Sequence, residues 1–238
     1  MHFTRSSNPI LSVILPSRQR FDALVSTINS FLSLSNDPTQ VEFLVKLDSD
    51  DVETIAKVHQ LPGKTKTLIS ERLRGYHDLH LFVNDLCKLA VGDWVLLFND
   101  DARMTTQNWD VALREVDPFV CNPEFAGSDS VCLLNPGSPE SDKTDVFPMV
   151  RRTSIKTLGH FSLHPHNDTW VQYTYMPLNA VISYPNIRLK HFNNDVKDAT
   201  RDHSAKAQET SFADWHDFAD ARARDTEALR KLINSEAK

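Results

Sequence analysis

Three short, mostly apolar runs, Ile10 to Leu15, Val41 to Leu47 and Trp94 to Phe98, each break off abruptly into polar residues. Runs of this length, bounded by turn signals, suit strands buried on both faces of a parallel sheet. The first ends at Pro16-Ser17-Arg18, the second at Asp48-Ser49-Asp50-Asp51 and the third at Asn99-Asp100-Asp101. Between them the apolar period changes to that of a helix. Leu24, Val25, Ile28, Phe31 and Leu32 predict a helix over 22–34, closed by Asn36-Asp37-Pro38, and Leu79, Phe82, Val83, Leu86, Leu89 and Ala90 predict one over 78–90, stopped by Gly92. A shorter helix over 52–59 and a short strand over 66–69 complete the alternation, which implies an α/β fold with a parallel, doubly wound sheet. Such sheets bind ligands beyond the carboxyl ends of their strands, so the three polar loops are expected on one edge.

The second half reads less sharply. Residues 117–145 are rich in Pro, Asn, Ser and Gly and predict loops around short strands such as 130–134. Further strands are expected over 147–151, 180–183 and 188–191. Phe212, Trp215, Phe218, Ala219, Leu229, Leu232 and Ile233 predict a helical tail over 211–233, its apolar ends separated by a charged block from Arg222 to Arg230. Asp195, Asp198, Arg201, Asp202 and His203 read as solvated surface, with a lid over a ligand as the alternative.

A formal charge of -6 supplies no basic footprint, so long nucleic acid is not a favoured partner. No stretch approaches the roughly 18 apolar residues that span a bilayer, and the N-terminus lacks a cleavage site, so a cytoplasmic protein is expected. Cys87, Cys121 and Cys132 are far apart without C-x-x-C spacing and read as reduced thiols. His160, His164 and His166 lie close together, but no Cys is near and Pro165 interrupts any regular face, which disfavours zinc.

Asp100 and Asp101 form the most telling pair. Adjacent like charges raise each other's pKa unless a cation or hydrogen bonds relieve them. Hard divalent ions prefer carboxylate oxygens and bridge protein to substrate phosphates; helix capping is the plainer use of such acids. Asp48 to Asp51 pose the same choice before Val52, where capping accounts for one carboxylate and not three. Asp168, in His166-Asn167-Asp168-Thr169-Trp170, reads as the cap of a helix beginning at Thr169.

In order and spacing these segments resemble the glycosyltransferase family 2 pattern on the GT-A fold. Asn84 to Trp94 is similar to that family's N-x5-A-x-G-D stretch, and Asn99-Asp100-Asp101 to its D-x-D motif, with Asn99 in place of the first acid. Ser12 to Arg18 resembles the opening strand and nucleotide loop; Arg151-Arg152, Leu158 to Phe161 and 166–170 resemble the acceptor-side segments.

The resemblance implies a GT-A-type, Rossmann-like, mostly parallel sheet flanked by helices. A catalytic domain would span 1–192, with a nucleotide-binding half over about 10–101 and an acceptor half over about 102–192; a helical extension would follow over 193–238. It implies a metal-dependent, inverting glycosyltransferase that uses Mn2+ or Mg2+ and a nucleoside diphosphate sugar, a UDP-sugar favoured. Pro16, Ser17, Arg18, Asp48, Asp50, Gly75, Asn84, Asn99 and Asp100 would contact the donor. Asp101 and His191 would hold the metal, the imidazole favouring manganese, and Asp168 would be the catalytic base. A strand-end His191 packed beside Phe192 is the alternative. Two other functions compete. A sugar-phosphate nucleotidyltransferase would need a glycine-rich basic loop, which Pro16 to Arg20 is not, and an inactive nucleotide-sugar-binding module is suggested by Asn99.

Overall fold

The computed structural model describes residues 8–137, 147–192 and 214–237. Strand β1 (Leu11–Ser17) is followed by helix α1 (Phe21–Leu34), β2 (Val41–Asp48), α2 (Val52–Lys57), β3 (Lys64–Ser70), α3 (Leu79–Leu89), β4 (Trp94–Leu97) and β5 (Ala102–Met104). Next come α4 (Trp109–Arg114), α5 (Pro118–Cys121), β6 (Leu133–Gly137), β7 (Met149–Arg151), α6 (Arg152–Leu158), α7 (Asn167–Tyr175), β8 (Val181–His191) and a last helix, α8 (Ala219–Glu236). The eight strands form one sheet in the order β3-β2-β1-β4-β7-β6-β8-β5.

The first four strands are mutually parallel, as their apolar runs predict, and Leu11, Val13, Ile14, Leu44, Val45, Val95 and Leu96 have no or almost no exposure. Edge strand β3 is the polar one, and Lys64 and Lys66 discourage pairing with another chain. The second half mixes directions: β7 runs antiparallel to both β4 and β6, and β5 antiparallel to β8. Phe31 ties α1 to the sheet through edge-on contacts with Phe43, Phe98 and Trp109. Gly92 is demanded by packing, because a Cβ there would lie 2.6 Å from the Ser12 backbone nitrogen.

Several boundaries depart from the sequence reading. The strands expected over 180–183 and 188–191 are one strand, β8, whose register against β6 slips between Pro136 and Gly137. Pro185 has no N–H to give a ladder, so a bulge carries it and the strand resumes beyond. The short elements β5, α4, α5 and α6 were not expected, being too short to show a period. Phe212, Asp195, Asp198, Arg201, Asp202 and His203 lie outside the described residues. No described helix is long and apolar enough to cross a membrane.

Helix α8 packs on α6 and α7. It fully buries Leu229, while Leu232 and Ile233 are partly covered. One buried Leu contributes about 2 kcal/mol, too little to dock a helix of 18 residues. Polar anchors complete the interface. Asp225 accepts from His160 Nε2 at 2.8 Å and Trp170 Nε1 at 3.0 Å, and Thr226 donates to the Thr174 carbonyl. Hydrogen bonds to a charged group contribute about 1.5–3 kcal/mol each.

Candidate active site

The parallel strands β1, β2 and β4 deliver their polar loops to one edge of the sheet. After β1 the chain turns sharply through Gln19, whose φ of 56 lies in the left-handed region. Asp51 holds this turn by accepting the Gln19 N–H at 2.6 Å, and it also caps α2 by accepting from the Thr54 N–H. Capping therefore accounts for Asp51. Asp48 and Asp50 do something else: both bind the Arg18 guanidinium, Asp50 through both of its oxygens. Behind them the buried Lys46 ammonium contacts Asp48 and lies over the Phe82 ring. The Arg18 hydrogen bonds hold the Asp50 carboxyl below the usual range.

The second cluster forms where β4 ends. Asp100 is 5% exposed and accepts from Ser17 Oγ at 2.6 Å and Arg20 Nη1 at 3.1 Å. Burial pushes its carboxyl up despite these donors. For Asp101, burial acts in the same direction, but His191 and Arg20 outweigh it and hold the carboxyl low. Neighbouring acids whose environments drive their pKa values apart take different roles. Asp100 is the hydrogen-bonded anchor and Asp101 the standing charge. The turn itself is braced from α1, where the fully buried Thr27 hydroxyl bonds the Asp100 and Ala102 carbonyls.

His191 reaches this turn because β5 follows it at once and pairs with the end of β8, setting Ala102 opposite His191. The Phe192 N–H then donates to the Asp101 carbonyl at 2.8 Å. Asp101 Oδ1 and His191 Nδ1 lie 3.5 Å apart, both buried and both without a hydrogen-bond partner among the described residues. Two ligands about 2.1 Å from one octahedral ion are separated by about 3 Å, so the pair fits two neighbouring positions around a divalent cation. No cluster of three or more His, Cys, Asp or Glu side chains suits a metal among the described residues. The alternative reading packs His191 beside Phe192; its ring stacks on Phe147, centroids 4.6 Å apart.

No hydrogen bond or ion pair joins Asp168 to this cluster among the described residues. It does not cap its helix. Helix α7 begins earlier, at Asn167, so Asp168 sits in the first turn and His166 takes the capping position without a side-chain bond. Burial raises the Asp168 carboxyl, opposed by the Thr169 N–H. The Asp168 charge is felt at Tyr76: burial and that charge both raise the phenol, and its ring meets His166 at 5.9 Å. Gly75, at φ 63, starts the short turn that carries Tyr76.

Asn84 is a tether. Its Oδ1 accepts from the Phe161 and Ser162 N–H groups and its Nδ2 donates to the Ser162 carbonyl, fastening the segment before α7 to α3. Asn99 is exposed, and its backbone carbonyl receives the Ala102 N–H. His160 and His164 bind Asp225 and Asp214 respectively and are not gathered on one ion. Sequence reasoning missed Arg20, Lys46, Tyr76 and Phe147. Arg20 was visible as a second cation in the first loop; nothing in the sequence marks the other three.

No family model matches the sequence, and no curated protein matches it. The fold does match solved structures. The mannosyltransferase PcManGT of Pyrobaculum calidifontis, in complex with GDP-Man and Mn2+, superposes with a TM-score of 0.58 at 14% identity, over 78% of this chain and 57% of that one. S. aureus TarS gives 0.54 at 13% identity, over 76% of this chain and 36% of that one. Its 1-349 fragment with UDP-GlcNAc gives 0.52 at 14%, over 76% and 58%. The chain therefore spans less than two thirds of the length of these proteins, and its fold is the GT-A-like fold they share.

Proposed function

We propose that this chain is a glycosyltransferase that moves a sugar from a nucleoside diphosphate onto an acceptor hydroxyl, with inversion at the anomeric carbon. The observation that carries the reading is the pair Asp101 Oδ1 and His191 Nδ1, two buried atoms 3.5 Å apart that make no hydrogen bond among the described residues, at the carboxyl edge of the sheet. Support comes from similar folds solved with GDP-Man and Mn2+ and with UDP-GlcNAc. Asp101 and His191 would hold Mn2+ or Mg2+, which would supply positive charge to neutralise the leaving diphosphate. The Pro16-Ser17-Arg18 loop, Asp48, Asp50, Gly75, Asn99 and Asp100 surround the nucleotide sugar. Lys46 offsets the charge of Asp48, so the carboxylate can face a substrate without repelling its phosphates. Asp168 takes the acceptor proton as the acceptor oxygen bonds to the anomeric carbon and the bond to the diphosphate oxygen breaks. Its raised pKa makes it a stronger base than an ordinary carboxylate.

The test is thermal stabilisation by a panel of nucleoside diphosphate sugars with and without Mn2+. A ligand at a hundred times its Kd adds about 2.7 kcal/mol, worth about 5–10 °C in a domain of this size. One donor should produce such a shift only with the metal. No shift for any donor would sink the proposal. In the same titration, His191→Ala should raise the half-saturating Mn2+ concentration by about tenfold or more, since even an outer-shell partner carries that much. An unchanged requirement would reject His191 as a ligand.

A further inference from the structure

The last helix supplies a group that reaches the other half of the proposed chemistry. One oxygen of Asp225, on α8, accepts from His160 Nε2 at 2.8 Å and from Trp170 Nε1 at 3.0 Å. These residues bracket the stretch that carries Asp168. His160 stands just before the Phe161-Ser162 backbone that Asn84 fastens to α3, and Trp170 lies two residues beyond Asp168 in the same helix. A single carboxylate thus pins both ends of the segment.

The surroundings make this grip stiff. Trp170 is fully buried, and Asp225 is 7% exposed. One turn before Asp225, Arg222 lies 4.0 Å over the Trp215 ring and donates to the Trp215 carbonyl, with its guanidinium also facing Trp170. Directly after it, Thr226 donates to the Thr174 carbonyl, one turn along α7 from Trp170. Rotation of α7 about its axis would break the indole bond and leave a buried carboxylate short of a donor, which is costly. The first turn of α7, and with it the direction of the Asp168 carboxylate, is therefore set from α8.

We infer that Asp225 is a positioning residue for Asp168, acting through Trp170 and His160, so that α8 belongs to the catalytic apparatus and does more than cover a face. This rests on Asp168 being the base. Displacing a reacting group by about 1 Å costs on the order of a hundredfold in rate. A partial loss of hold should cost less.

The experiment compares Asp225→Ala and Asp225→Asn with the unaltered protein, using the nucleotide sugar and Mn2+ concentration selected by the stabilisation panel. Metal-dependent turnover of that donor is read as kcat and KM per folded molecule. Asp225→Ala should lower kcat by about tenfold or more and leave the donor KM within about twofold, because the donor loops lie on other elements. Asp225→Asn keeps an oxygen that can accept both bonds, and it should recover most of the loss. A lower melting temperature with kcat unchanged in Asp225→Ala would overturn the inference and leave α8 a stabilising element. Should the alanine variant not fold, kcat decides through Asp225→Glu, which keeps the charge but displaces the oxygen; an unaltered kcat there overturns it equally. Asp168→Asn, measured alongside, separates the two ideas: if that variant retains full turnover, the base assignment fails whatever Asp225 does.

Discussion

Asp101→Ala should lose Mn2+-dependent donor binding and nearly all turnover while remaining folded. Asp101 is the acid whose charge is kept, held low by His191 and Arg20 against the cost of burial. Without it the proposed ion keeps one protein ligand, and the diphosphate faces Asp100 with less to offset it. A metal that stabilises developing charge is worth several kcal/mol, so the expected fall is about 10²- to 10³-fold. Asp100 is in no position to replace it, since Ser17 and Arg20 already hold its two oxygens. Turnover at the unaltered level in the presence of a chelator would remove the metal from the mechanism.

Asp168→Asn should fold, bind donor with unchanged affinity and lose transfer by about 10²- to 10⁴-fold, the range that a positioned general base supplies. Shape and the first-turn hydrogen bonds are kept, and the proton acceptor is removed. The pH dependence adds a sign. Burial raises the carboxyl, so in the unaltered protein the ionised, active form is lost as pH falls through a value above the ordinary carboxylate range. That acid limb of the kcat profile should vanish in the asparagine variant. Weaker donor affinity with unaltered kcat would instead place Asp168 in binding.

How much of this was legible depends on the range of the interactions. Strands β1, β2 and β4 announce themselves because burial on both faces requires nearly continuous apolar residues, and their loops follow from the chain direction. The position of Asp48, Asp100 and Asp101 at strand ends on one edge of the sheet could therefore be read in advance. Asp51 was harder, since capping and the hold on Gln19 use the same carboxylate and only coordinates show both. The stacking of His191 on Phe147 was out of reach: it depends on β5, three residues with no readable period, pairing with the last part of a bulged strand. Likewise α8 shows a charged block in sequence, but Asp225 within that block is buried by partners on α7 and in the loop that precedes it. Local pattern reports the face a residue turns to its own element's surroundings. It is silent on partners brought from far along the chain.

The pairing of β5 with β8 also bears on the order in which the molecule assembles. Asp101 is in place once β4 has joined β1, but its partner His191 arrives only when the end of β8 has closed on β5 in the correct register. A slip of one residue would turn the imidazole to the opposite face. An ion held by both residues would thus recognise only the completed sheet. It would act as a clasp on this pairing, slowing the unfolding of the closed sheet.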